Sequence, residues 1–241
     1  MKGYKQDIEP LAFLLNKYDF EINRIEKIST GQKYTAVLLK NGNIGVCANL
    51  GHIINPKKSY YVNLDLRNFI HRIVLNAYFN ALLNYSGNCK SDADIFDAVD
   101  FGKYKKVVMV GFIKPVVERL KETGVLFAVF DLQKEDLLLT PIVEQNKFLE
   151  EADVVILSST SLINATFIDL INATKNRCDI YMIGPSSIMA QELLAYKNIK
   201  MIFGATFNKT DNRILKIIQE DGGTRVFLKL GHKRCLQKKV E

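Results

Sequence analysis

Five short runs of uninterrupted apolar residues, separated by segments with helical patterning, constrain this chain more than any other feature. They are Val107-Val-Met-Val110, Val125-Leu-Phe-Ala-Val-Phe130, Val154-Val-Ile-Leu157, Ile180-Tyr-Met-Ile183 and Met201-Ile-Phe203. A strand with one wet face alternates apolar and polar residues, whereas a continuous run means that both faces are covered. Between the runs, Pro115 suits a first helical position, and Thr140-Pro141 reads as an N-cap followed by proline. Thr210 to Glu220 turns Ile214, Ile217 and Ile218 inward, Asp221-Gly-Gly223 stops that helix, and Val226-Phe-Leu-Lys-Leu230 reads as one more strand. Strands alternating with helices fold as a parallel sheet through right-handed crossovers. The expected class is therefore α/β: a mostly parallel sheet with helices on both faces, occupying residues 101–241.

Residues 1–100 follow a different pattern and predict a small α+β domain. Ile8 to Leu15 carries apolar residues at helical spacing, and Phe20 to Ile28 alternates as a half-buried strand does. Tyr34-Thr-Ala-Val-Leu-Leu39 and Ile44-Gly-Val-Cys-Ala48 flank Asn41-Gly42, a dipeptide that favours a type I′ hairpin turn. A helix is expected from Asp65 to Tyr85, with one apolar stripe from Phe69 to Leu82 and a stop at Ser86-Gly87-Asn88.

Composition narrows the function classes. Of 241 residues, 48% are hydrophobic and 24% charged, which is ordinary for a globular chain. No apolar run approaches the roughly 18 residues of a membrane span, and no signal-peptide core opens the chain, so a cytoplasmic protein is expected. The cysteines, Cys47, Cys89, Cys178 and Cys235, never form C-x-x-C, and the three histidines are scattered; neither a disulfide framework nor a protein-only metal cage is expected. The net charge is +7, but six bases and one acid fall between Arg225 and Glu241. That segment reads as a solvated basic tail after the last strand. RNA or partner binding through it is the lesser alternative, and no basic face interleaved with aromatics supports nucleic acid.

Ligands of open α/β sheets bind beyond the carboxyl ends of the strands. There the sequence places Gly111, Asp131, Ser158-Ser-Thr-Ser161 with Asn164 and Thr166, Gly184-Pro-Ser-Ser187, and Gly204. Hydroxyls before a helix make an anion cradle, or simply an N-cap; Ser158, Thr160 and Ser161 exceed what a cap needs. In Gly184-Pro185-Ser186-Ser187, glycine permits close backbone approach and a serine opens the next helix. Asp131 stands where a nucleotide-binding sheet presents a ribose-binding acid, or is a turn residue. Gly111 lacks the companion glycines of a dinucleotide loop. Asn76 and Asn80 share one helix face, placed for a ligand, for the other domain, or for solvent.

At Ala152-Asp-Val-Val155, Thr160-Ser-Leu-Ile-Asn-Ala-Thr166 and Gly184-Pro-Ser186 the sequence resembles a family of microbial proteins described as "putative heavy-metal chelation" proteins. That family's pattern runs "ADVV", then "TLVNGT", then "GPS". The first half is similar to the family's enolase N-terminal-like domain at Tyr34-Thr-Ala-Val37, the Asn-Gly hairpin and Asn76-Ala77. The resemblance implies a Rossmann-like domain joined to that small domain, with a site in the cleft between them. By position the site falls on Asn76, Gly111, Thr160, Asn164, Thr166, Gly184, Pro185 and Ser186. Departures are Ser158-Ser159 for the family's Thr-Gly, Ala165 for its glycine, and Asp131 for its Glu. The expected function is binding of a small anionic or metal-chelating molecule, with or without turnover. The alternative is an enzyme using a nucleotide, NAD or S-adenosylmethionine. The expected partner is a small-molecule ligand, with a homo-oligomer left open and neither membrane nor nucleic acid anticipated.

Overall fold

The computed structural model describes residues 7–86, 90–91, 94–132 and 136–238; Gly87, Asn88, Cys89, Lys239 and Glu241 of the sequence reading lie outside them. Pro10 opens α1 (Pro10–Tyr18), where the Glu9 carboxylate accepts the Ala12 N–H at 2.9 Å and so caps the helix. Strands β1 (Ile25–Thr30), β2 (Tyr34–Leu39) and β3 (Ile44–Ala48) form an antiparallel sheet in the order β1-β2-β3. Its first strand begins later than the alternation suggested, because Ile22–Arg24 winds into a 3-10 turn. The hairpin is present, but its turn is not type I′. Only Gly42 takes a positive φ (90°), and the Asn41 side chain instead accepts the Asn43 N–H at 3.1 Å.

Helix α2 (Phe69–Leu83) is shorter than expected at both ends, starting where Asn68 caps the Ile70 N–H. Residues 71–81 are all buried, since α2 lies between the small sheet and the larger one. The larger sheet has seven strands. They are β4 (Lys90–Ser91), β5 (Val107–Val110), β6 (Phe127–Phe130), β7 (Val154–Ser158), β8 (Asp179–Ile183), β9 (Ile199–Phe207) and β10 (Gly231–Gln237), in the spatial order β6-β5-β7-β8-β9-β10-β4. From β6 to β9 all neighbours are parallel, as the five apolar runs predicted; β10 and β4 close the far edge antiparallel.

One face of this sheet packs on α2, α5 (Gln145–Glu151) and α6 (Phe167–Asn172), and the other on α3 (Ile95–Ala98) and α4 (Lys114–Glu122). Pro115 occupies the second position of α4 rather than the first, after an Ile113 N-cap. Thr140 caps nothing; Pro141 precedes a 3-10 turn, Ile142–Glu144, that leads into α5.

The largest correction concerns the end of the chain. Val226 to Leu230 is no strand: α7 (Asn212–Gln219) is followed by the short α8 (Thr224–Phe227) and a 3-10 turn. Only Phe227 of that apolar run is buried; Val226 is 49% exposed. With Ile214, Leu215 and Ile218, Phe227 covers the outer face of the small sheet, against Ala36, Leu38, Ile44 and Val46. The segment read as a solvated tail is β10, whose Cys235 and Leu236 are buried while Lys233 pairs with Asp94 at 2.9 Å.

Candidate functional site

Strand β5 has β6 on one side and β7 on the other, so the chain leaves it in opposite directions and a crevice opens at the carboxyl ends of β5 and β7. The structure holds a cleft of about 1280 Å³ there. Its floor is formed by residues 110–115 after β5, 130–132 after β6, 158–161 with Asn164 and Thr166 after β7, and 184–186 after β8. The opposite wall comes from residues 30–34, 48 and 50–54, on and beside the small sheet, and from Asp221 and Gly223 before α8 with Thr224 and Arg225 in its first turn.

Two glycines let the strand ends converge. Gly111 has φ +95°, and a Cβ there would meet the Ser158 Cβ at 2.3 Å; Gly184 has φ +134°, and its Cβ would meet the Ser159 Oγ at 2.6 Å. Side chains cannot occupy either position without strain and collision. Ser158 caps a 3-10 turn (Ser159–Leu162) rather than an α-helix, its Oγ accepting the Thr160 N–H at 3.4 Å, and α6 starts only at Phe167. The Ser158 Oγ lies 2.9 Å from the Thr160 Oγ1. Ser161 is 4% exposed, and its hydroxyl has no hydrogen-bond partner among the described residues. Ala165 stands in the left-handed region at φ 57°, which is the physical reason a glycine suits this place in the pattern the sequence resembles.

Of the residues expected at the site, Gly111, Asp131, Ser158, Thr160, Ser161, Asn164, Thr166, Gly184, Pro185 and Ser186 line the cleft together. Asn76, Ser187 and Gly204 lie outside its lining. Gly204 does not follow a strand but sits within β9, opposite Arg234 of β10. Ser187 opens no helix; no regular element follows it until the 3-10 turn at Gln191–Ala195.

Asn76 acts from beneath. Its Nδ2 donates to the Ser186 carbonyl at 2.9 Å. One turn on, the Asn80 Nδ2 donates to the carbonyls of Pro185 (2.9 Å) and Ser187 (3.1 Å). One turn further, Asn84 donates to the Ser187 carbonyl and accepts the Met189 N–H at 2.7 Å. At the other end of the same face, the buried Arg72 donates to the carbonyls of Ile163 and Leu162 and pairs with Glu9 at 2.6 Å. Arg72, Asn76 and Asn80 of α2 and its C-cap Asn84, spaced four apart, thus hold both floor loops. The Ser186 Oγ accepts the Ala48 N–H at 3.0 Å and ties the end of β3 to the same turn. Sequence reasoning noticed Asn76 and Asn80 but not Arg72 and Asn84, although the shared four-residue spacing on an apolar helix was the available signal.

Asp131 is also engaged: its Oδ2 accepts the Phe112 N–H at 2.6 Å, bracing the loop after β5. Cys47, 0% exposed beside this turn, has its thiol pushed up by burial, so it is neutral at ordinary pH and no ready nucleophile. His52 lines the cleft with its ring stacked on Phe69, centroids 4.4 Å apart. Lys33, Lys114, Gln145 and Arg225, none of them read as a site residue in the sequence, add to its polar lining. No three His, Cys, Asp or Glu side chains come together to hold a metal ion among the described residues.

The profile of a family described as "Putative heavy-metal chelation", DUF364, matches residues 94–237. The chain belongs to that family. An uncharacterized protein from Methanocaldococcus jannaschii is 25% identical over 235 residues, covering 87% of this chain and 89% of the relative. Two solved structures of DUF364 proteins with unknown function share the fold. One, from Pyrococcus horikoshii, has a TM-score of 0.74 at 20% identity, covering 89% of this chain and 93% of its own. The other, from Desulfitobacterium hafniense, has a TM-score of 0.73 at 21% identity, covering 95% and 97%.

Proposed function

We propose that this DUF364 protein binds a small anionic or metal-chelating organic molecule in the cleft at the carboxyl ends of β5 and β7. The observation that carries the reading is the lining itself: hydroxyls, amides and cations converge on a cavity of about 1280 Å³, larger than a bare ion requires. Such donors suit oxygen anions. A soft metal held by the chain alone would call for clustered thiolate or imidazole ligands. A metal handled here would therefore arrive as cargo, already wrapped by the organic molecule. The nucleotide reading has less support, because the Asp131 oxygen facing the loop after β5 is taken by Phe112 and the companion glycines are missing.

A thermal-shift screen of metal–chelate complexes, free chelators and free metals tests this. A specific chelate at a hundred times its Kd should add about 2.7 kcal/mol of stability. Asn164, half-buried in the lining with no side-chain partner among the described residues, is the substitution to pair with it. Asn164→Ala should cut the shift while leaving the unliganded melting temperature near its original value. Stabilisation by free metal alone, or a chelate effect indifferent to Asn164→Ala, would refute the reading. Ser186→Ala is a poor choice, since that hydroxyl holds Ala48.

A further inference from the structure

The cleft lining carries more positive charge than its own acids use. Its acids among the described residues are Asp131 and Asp221, and each accepts a backbone N–H: Phe112 at 2.6 Å and Gln32 at 2.5 Å. Both carboxylates hold loops. The cations are far less engaged. Arg225 has no ion pair or hydrogen bond from its side chain among the described residues. Among the described residues Lys33 reaches only the Asp221 carbonyl at 3.4 Å, and Lys114 only Glu118 at 3.9 Å.

Lys33 and Arg225 belong to one wall, because the turn carrying Lys33 is pinned to Asp221 just before α8. The floor is different in kind. It offers the hydroxyls of Ser158, Thr160 and Ser161, the last buried, and the start of α4; among the described residues the Ser161 hydroxyl has no partner and no side chain caps α4. Apolar side chains, among them Tyr34, Leu50, Ile54 and Phe112, line the same cleft.

We propose that the ligand of this cleft is an oligocarboxylate: a small organic molecule with two or more carboxylates separated by a short carbon framework. This rests on the reading of the cleft as a ligand site. One carboxylate sits at the floor against the hydroxyls and the start of α4, and another sits at the wall between Lys33 and Arg225. A dianionic phosphate fits the floor less well. Pro115 removes one N–H from the start of α4, Asp131 occupies that of Phe112, and the Asp131 charge repels a second negative charge nearby. A singly charged, planar carboxylate needs fewer donors and meets less repulsion.

Calorimetry on the full chain with tricarballylate, glutarate, butyrate and inorganic phosphate tests the assignment. Tricarballylate and glutarate should bind at least about tenfold tighter than butyrate or phosphate, a difference of roughly 1.4 kcal/mol. Their affinity should fall with added salt. The double variant Lys33→Gln/Arg225→Gln should bring tricarballylate down to the level of butyrate, which needs the floor alone and keeps its affinity. Ser161→Ala should weaken all three carboxylates. It should also raise the melting temperature of the unliganded protein, because a buried hydroxyl without a partner is removed. Equal affinity for butyrate and tricarballylate, tightest binding of phosphate, or indifference to the double variant would overturn the oligocarboxylate assignment while leaving the cleft open to another ligand. Absence of binding by every carboxylate at millimolar concentration would overturn it too; the chelate screen with Asn164→Ala decides the cleft separately.

Discussion

At the scale of single residues, backbone geometry decides more than chemistry. Gly111→Ala must both hold a left-handed φ and displace Ser158, so it should cost about 2–5 kcal/mol in urea denaturation. Adding Ser158→Gly should return the part due to collision, but not the part due to φ. Ala165 is the converse case: Ala165→Gly relieves a left-handed alanine and should raise stability by up to about 1 kcal/mol. His71 supplies a pH signature. Burial holds its pKa below the usual histidine value, with the nearby Asp65 charge opposing, and its Nδ1 accepts the Asp65 N–H at 2.9 Å. Above the unfolded pKa of about 6.5, both states are neutral and the contribution is fully present. As pH falls below that value, the unfolded chain takes up the proton first, and stability declines until the folded pKa is reached. Urea midpoints between pH 8 and pH 5 should fall more steeply for the parent chain than for His71→Gln.

At the scale of elements, α2 is the support on which the candidate site rests. Its apolar stripe was legible because a 3.6-residue period survives in any buried helix. What could not be read was that its polar side is buried as well, since only a second sheet packed behind it makes that so. Asn80→Ala should leave the Pro185 carbonyl without its donor and the Ser187 carbonyl with Asn84 alone, and cost about 1–3 kcal/mol by urea denaturation. A loss under about 0.5 kcal/mol would mean that water reaches those groups. The strands show the same division. β2, β3 and β5 were legible to the residue because their apolar runs are bounded on both sides by polar or turn residues. β10 was not, because Gly231-His-Lys-Arg-Cys-Leu-Gln237 carries few strand signals of its own and takes its conformation from seven paired positions on β9.

For the whole molecule, the path of the chain's last quarter matters most. α7 and α8 return to cover the small sheet, and β10 then rejoins the large one, so the end of the chain stitches the two sheets together. Ending the chain at Leu230 would therefore remove a sheet strand and expose the edge of β9. Such a truncation should lose its cooperative thermal transition, measured by circular dichroism; a normal melt would show that β10 is dispensable. For the same reason the basic charges near the end are better probed by Lys→Gln substitutions than by deletion. No helix among the described residues is long and apolar enough to cross a membrane.

The sequence by itself determined the parallel strands, the hairpin, the apolar face of α2 and the cluster of small and hydroxyl residues at the strand ends. These follow from interactions within a few residues: side-chain period, turn geometry and covered faces. Only the tertiary structure decided which of those polar groups face the cleft and which hold it together. Asn76 and its acceptor Ser186 are 110 residues apart, and Asp131 and Ser186 carry site-like chemistry already engaged in bracing loops. A hydrogen bond between distant segments leaves no periodic trace, so free and occupied donors look alike until the chain is folded.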